Sequence, residues 1–493
     1  MRHPRHIAAG LAVALLVASA PGALAGNPFA RLTTTAGGYH SWDSDMIDVE
    51  LVSQTGAGVY VAVLDTGLVP YWKDYFPDDR VAEELGTGFY QSVTFKAHSA
   101  DGCELDTEVG ALRQVSYVGS RGSSHGTHVA STIIGYSYYS NTDAVQGYPL
   151  PPIQVRGIAP DATIIPVKVL ADYQVPALPK CATPTPSQNV VFGTSEMVAA
   201  GIDYVTSLKE GVLSDSPVVI NMSLGADPDV PITDVEKGAI DRAIAAGVIV
   251  VVAASNDGEL GMSAPGSYGP VISAGAVGWT GEWLVAPGVP PIAPSIRYRM
   301  WWLQNVKGNG LGTTGNLVPP LAASSGDVAE GAAVIADTYV TDFSSRALAA
   351  TQAGALDVLA PGSWVRGPFA GYPGYNHLPW YSHGIADLLG GNTGNFYYVG
   401  GTSMATPHVA SVAALVLQKN GTLNQAQVET ILRGSALSLL PTDSKQVWDP
   451  FKPAGDGGPD FYPMAWDNDC GGAPCDAVGA GLVQADGAIA NTP

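Results

Sequence analysis

Five continuous apolar, β-branched runs alternating with segments of helical composition predict an α/β domain: a doubly wound, mostly parallel β-sheet flanked by helices, with loop insertions. The runs are VYVAVL (59–64), TIIPVKVL (163–170), VVINMSL (218–224), VIVVVAA (248–254) and VISAGAV (271–277). None alternates apolar with polar, which suits strands covered on both faces. The helical segments fall at 194–209, 234–246, 403–419 and 424–433. In such a sheet, ligands bind beyond the carboxyl ends of the strands.

Composition narrows the partners. The chain has 493 residues, with Lys+Arg 23 against Asp+Glu 44 and a net charge of −21. So few cations build no basic face, which excludes nucleic acid as a partner. At 46% hydrophobic residues, the chain has a globular composition and buries a large core without staples, so its 4 cysteines do not form the framework.

Residues 1–25 carry Arg2 and Arg5, an apolar stretch from Ile7 to Ala18 and the small-residue ending Ala23-Leu24-Ala25, the pattern of a cleaved secretory signal. A membrane anchor needs about 20 consecutive apolar residues, and Pro21 and Gly22 interrupt this one early. The expectation is a secreted, extracellular protein, off the membrane once the leader is removed. Residues 26–493 read as a single domain, since motifs beginning at residue 59 need partners beyond 400. The Pro- and Gly-rich stretch 279–339 breaks the strand–helix rhythm and reads as an insertion. Export favours pairing among Cys103, Cys181, Cys470 and Cys475; the short CGGAPC loop favours Cys470 with Cys475.

Three segments carry chemistry. VLDTG ends the first strand and puts Asp65 before a glycine turn, where an Asp also serves as a plain turn cap. SSHGTHVAST sets His125 ahead of an apolar helix; His125 and His128, three apart, also fit a metal pair, but no Glu lies between them and no third ligand follows. His128 reads as a packed helix residue. GGTSMATPHVA places Ser403 at a helix start, as an N-cap or as a hydroxyl among free backbone N–H groups. GTSMA is not the G-x-S-x-G elbow. Together they supply an acid, an imidazole and a hydroxyl in the chain order Asp, His, Ser.

The strings VAVLDTG, SHGTHVA, VINMSLG and GTSMATPHVA resemble the diagnostic segments of the subtilisin-like serine peptidases, the subtilases. The likeness continues through RGIAPDATIIPVKVL, LDVLAPG and VGAGLVQADGAI, from about Gly56 onward. It implies a serine endopeptidase with no catalytic cofactor, working through an acyl-enzyme. Asp65 would orient the imidazole, His125 take the proton and Ser403 attack. Asn256 in VVAASNDG would serve the oxyanion hole, where the similar sedolisins have Asp.

The resemblance further implies that an extended peptide pairs beside Ser223, Leu224 and Gly225. Ala253 and Ala254 would wall a primary pocket floored by Ser263. Such small side chains lead to the expectation of a roomy pocket and broad apolar preference. Structural calcium is implied at Asp74, with Asn141 and Asp143 in the loop where further ligands would lie. Two positions depart from the family pattern: Ser131 and Ser255 stand where Gly is usual. Only residues 26–58 precede Val59, so folding without a chaperone prodomain is expected. Partners are protein or peptide substrates, and a monomer is expected. The competing functions are a catalytically silent binding protein on the same fold, and a cell-surface structural protein, for which repeats and a C-terminal anchor are missing.

Overall fold

The nine strands of the central sheet are β1 Tyr60–Asp65, β2 Thr87–Tyr90, β3 Arg113–Val115, β4 Thr163–Lys168, β5 Val218–Met222, β6 Ile249–Ala253, β7 Ile272–Trp279, β8 Thr338–Val340 and β9 Val358–Pro361. They run β8-β7-β6-β5-β1-β4-β2-β3, with β9 also on β7. The pairs within β7-β6-β5-β1-β4-β2 and the β7/β9 pair are parallel; β8 and β3 join the two edges antiparallel. The computed structural model describes residues 38, 40–97, 103, 105–119, 123–138, 153–178, 184–280, 283–285, 297–299, 331–369, 381–382, 396–448 and 461–493.

Every residue of β5, β6 and β7 is buried, which is why these runs read as continuous. Successive side chains of a strand point to opposite faces. Accordingly Val61, Val63, Val219 and Val251 join one core cluster, while Ala62, Leu64, Ile220 and Val250 join the other. Helices α1 Trp42–Asp45, α2 Ser124–Ile134, α5 Thr402–Lys419, α6 Gln425–Ser435 and α7 Ala485–Asn491 contribute to the first cluster. Helices α3 Ser195–Glu210 and α4 Asp234–Ala245 cover the second. The predicted doubly wound α/β architecture is the one observed. Caps set the helix starts: Thr194, Thr233 and Asn424 each accept an N3 backbone N–H.

The predicted insertion 279–339 needs its ends corrected. Trp279 closes β7 and Tyr339 lies within β8, which returns antiparallel with Trp279 opposite Thr338. Both ends therefore belong to the sheet, because Tyr339 and Val340 are buried against it. Inside the segment, Trp283–Val285 pairs with Arg297–Arg299. The antiparallel pairs with no counterpart in the sequence reading include Val93–Ala97 with Leu105–Val109, Ala171–Val175 with Gln188–Phe192, and Asp443–Trp448 with Phe461–Trp466.

Cys470 is bonded to Cys475, Cα to Cα 5.9 Å, as the short loop predicts, and no described cysteine is free. The leader 1–25, Asn141, Asp143 and Cys181 lie outside the described residues. Among those described, no helix is long and apolar enough to cross a membrane.

Candidate active site

Asp65 is the last residue of β1 and fully buried, opposite Lys168 in register. The turn after it needs glycine: Gly67 has φ +80°, and a Cβ there would stand 2.0 Å from the Tyr117 carbonyl oxygen. The start of α2 approaches just as closely, since a Cβ on Gly126 would meet the Gly67 carbonyl at 2.5 Å. Thr66 stitches the two together, its Oγ1 accepting the Gly126 N–H at 2.9 Å and its carbonyl accepting the Ser123 hydroxyl at 2.9 Å.

That approach delivers His125 to Asp65. Nδ1 of His125 lies 2.8 and 2.9 Å from the two carboxylate oxygens, and the Thr66 N–H adds a 2.6 Å bond to Oδ1. With Nδ1–H donating to the carboxylate, the neutral ring carries its lone pair on Nε2. The His125 side chain is 22% exposed. Burial pulls its pKa down, but the charge and hydrogen bond of Asp65 together outweigh burial and leave it raised above 6.5.

Ser403 is the second residue of α5, a helix with Pro407 inside it. Proline has no N–H, so the carbonyl four residues earlier loses its intrahelical donor. That carbonyl belongs to Ser403, and the buried Ser223 hydroxyl supplies the missing bond at 2.8 Å. In return the Ser403 hydroxyl donates to the Ser223 carbonyl at 3.2 Å. Asn221 Nδ2 donates to Ser223 Oγ at 3.0 Å and fixes its direction.

Asn256 follows β6 and is exposed. Its Oδ1 accepts both the N–H (2.8 Å) and the hydroxyl (3.1 Å) of Thr402, which leaves Nδ2 as the outward donor. A Cβ built on Gly401 would lie 3.7 Å from Asn256 Nδ2 and 3.7 Å from the Ser403 nitrogen, so two donors flank one small volume. Ser255, where glycine was expected, keeps the left-handed backbone of a glycine at φ 87°. Such a conformation costs about 1–3 kcal/mol and persists when surroundings hold it. Here the Ser255 hydroxyl donates to Asp257 Oδ2 at 2.5 Å, and its carbonyl accepts the Ser345 N–H at 3.1 Å.

The predicted pocket residues come together. A Cβ on Gly225 would meet Ser255 Oγ at 3.5 Å and Ser263 Cβ at 3.6 Å. Ala253, Ala254 and Ser263 are buried, Leu224 is half-buried, and Ala226 N–H bonds the Ala264 carbonyl at 2.7 Å beside them. The Ser263 hydroxyl donates to Asp257 Oδ2 at 3.0 Å, so a carboxylate stands beside the expected floor residue, which side-chain size alone did not reveal. His125 and His128 do not form a metal pair: His128 is buried with Nε2 3.1 Å from the Val365 carbonyl. Ser131 fills the space beside Gly367, where a Cβ would lie 2.6 Å from its hydroxyl. Asp74 is exposed, and among the described residues no group of three His, Cys, Asp or Glu side chains is placed to hold a metal.

Comparison with known proteins places the chain in a family. Residues 56–462 match the family model Peptidase_S8, the Subtilase family, and the chain belongs to that family. Its mostly parallel sheet flanked by helices is the α/β fold of subtilisin-like proteins. It is 27% identical over 389 residues to Subtilisin E of Bacillus subtilis (strain 168), covering 78% of this chain and 62% of that one. It is 26% identical, again over 389 residues, to Subtilisin of Bacillus pumilus, covering 78% and 86%. Among solved structures, Sphericase aligns over 90% of this chain and 97% of its own, with a TM-score of 0.47 and 21% identity. The alignment thus spans less than two thirds of the length of Subtilisin E.

Two functional features escaped the sequence reading. One is the Ser223–Ser403 exchange, whose signal was Pro407 four residues after the serine. The other is His408 in the same GTSMATPHVA string: its Nε2 lies 3.0 Å from Asp43 Oδ2, across 365 residues of chain.

Proposed function

We propose that the protein is a secreted serine endopeptidase that cleaves peptide bonds through Asp65, His125 and Ser403. The observation that carries this reading is the two-oxygen grip of Asp65 on His125 Nδ1, which leaves a partly exposed Nε2 as a base. A serine hydroxyl is a weak nucleophile until a neighbouring base takes its proton during attack. Ser403 Oγ turns from the Ser223 carbonyl to Nε2, gives up its proton there and attacks the substrate carbonyl to form a tetrahedral intermediate. His125 passes that proton to the leaving amine, whose departure breaks the C–N bond and leaves the acyl-enzyme, and water releases the acid by the reverse sequence. Asn256 Nδ2 and the Ser403 N–H receive the oxyanion; in subtilisin, loss of the Asn donor costs about 10²–10³ in turnover. The leader pattern of residues 1–25 supports export.

Peptide pairs beside Ser223, Leu224 and Gly225 and places a medium or large apolar side chain among Ala253, Ala254 and Ser263. A peptide library tests this; preference for Arg or Lys would replace it and would point to Asp257. Structural calcium belongs to the proposal only through the family likeness. Asp74 offers one exposed carboxylate, and chelator should lower the melting temperature if a site exists.

The decisive experiment treats the protein with a fluorophosphonate and locates the adduct by peptide mass, with Ser403→Ala as control. Labelling at Ser403 is expected. Folded protein that stays unlabelled would turn the assignment toward a silent binding protein.

A further inference from the structure

We propose that Asp43 and His408 form a positioning pair that fixes the first turn of α5, and through it the Ser403 hydroxyl, to the chain segment preceding β1. The inference rests on the enzymatic reading above and adds two residues to it. His408 is fully buried and Asp43 nearly so. His408 Nδ1 lies 2.7 Å from the carbonyl of Met404, the residue after Ser403, and Nε2 lies 3.0 Å from Asp43 Oδ2. A carbonyl only accepts, so Nδ1 carries a hydrogen. One further proton, shared between Nε2 and the carboxylate, satisfies the other contact. Neither nitrogen is left for proton transfer.

The turn needs such an anchor. Pro407 removes the helical bond to the Ser403 carbonyl, and the recorded partners of the Ser403 and Met404 carbonyls include two side chains, Ser223 and His408. Ser223 ties the turn to the sheet, and His408 ties it to Asp43. The segment carrying Asp43 is itself firmly seated. Trp42, Met46, Ile47 and Val49 are fully buried in the same core as Val409 and Val412 of α5. The Ile47 carbonyl also accepts the Ala485 N–H at 2.8 Å.

The test compares wild type, Asp43→Ala and Asp43→Asn in the full chain. The readouts are the fluorophosphonate labelling rate, kcat and KM on a peptide anilide, and amide hydrogen exchange in peptides covering 400–408. Asp43→Ala should slow labelling and kcat by about 10-fold or more with KM nearly unchanged, since misplacement of a reacting group by about 1 Å can cost 10²-fold. Exchange at 400–408 should rise. Asp43→Asn keeps a hydrogen-bond partner for Nε2, its amide N–H donating to the neutral ring, and should recover most of both readouts, which a mere loss of packing would not predict. A folded Asp43→Ala that labels at the wild-type rate with unchanged exchange at 400–408 would overturn the proposal. If Asp43→Ala does not accumulate, Asp43→Ser carries the same comparison. Wild type unlabelled at Ser403 would overturn the enzymatic reading, and exchange at 400–408 would still decide the anchor.

Discussion

Among the described residues, two Asp–His contacts are of nearly equal length, 2.8 Å for Asp65–His125 and 3.0 Å for Asp43–His408. One reaches the surface and the other is sealed in the core, with His side chains 22% and 0% exposed. The difference lies in the second ring nitrogen. For His125 the carboxylate takes Nδ1 and leaves Nε2 available; for His408 a carbonyl and a carboxylate occupy both. On the proposed reading, the same chemical pair yields a base in one place and a fixed strut in the other. Identity of the partners does not decide function; the number of free lone pairs does.

The sharpest way to break this comparison is to remove each imidazole. His125→Ala should reduce kcat by about 10⁵–10⁶-fold, as loss of a triad member that acts as a unit does, with little change in unfolding midpoint. His408→Ala should do the reverse. It leaves Asp43 buried without its partner, and breaking a buried pair costs about 3–5 kcal/mol, read as a lower denaturant midpoint. A His408 variant as stable as wild type would remove the distinction.

The pH profile sharpens it. Asp65 holds the His125 pKa above 6.5, and the base works only unprotonated. Activity should therefore rise with pH through a midpoint above 6.5, and Asp65→Asn should move that midpoint down. Stability runs the other way. A raised folded pKa contributes stability that is full below 6.5 and is lost as pH rises through the folded value.

A third carboxylate cluster adds a smaller test. Asp357 holds Arg433 Nη1 at 2.5 Å and accepts the Ser273 N–H at 2.8 Å. Burial first, then the Asp357 charge, pushes nearby Glu429 up to about 7. Its contribution is present below 4.5 and fades as pH rises through about 7, so the melting temperature should fall across that window. Glu429→Gln should flatten the change, by about 1 kcal/mol at most after solvent screening. A similarly small effect is expected of Ser223→Ala, which removes the hydrogen bond to the Ser403 carbonyl and the acceptor of Asn221 Nδ2, each worth about 0.5–1.5 kcal/mol, with kcat the more sensitive readout.

Much of this was legible in the residues. Runs such as VIVVVAA declare a strand buried on both faces, and Asn424 with Gln427 announces a helix start. Asp65, His125 and Ser403 stood out because each sits in a distinctive string at the edge of a recognisable element. The short edge strand Thr338–Val340 and the hairpin Asp443–Trp448 with Phe461–Trp466 did not, since three residues carry no period and SKQ or YPM gives no alternation. The Asp257 carboxylate beside Ser263 was hidden behind a turn-like Asn-Asp-Gly. Asp43 sits in no distinctive string, and its partner lies 365 residues away.

The sequence by itself determined the long buried strands, the main helices and the reactive groups, because strand burial, helix caps and the proline in α5 act over a few neighbouring residues. It also placed the acid at a strand end and the serine at a helix start. Which acceptor each imidazole nitrogen meets was decided only by the tertiary structure. A hydrogen bond switches on within a few tenths of an ångström, and no local pattern specifies a distance between β1 and α2 or between Asp43 and α5.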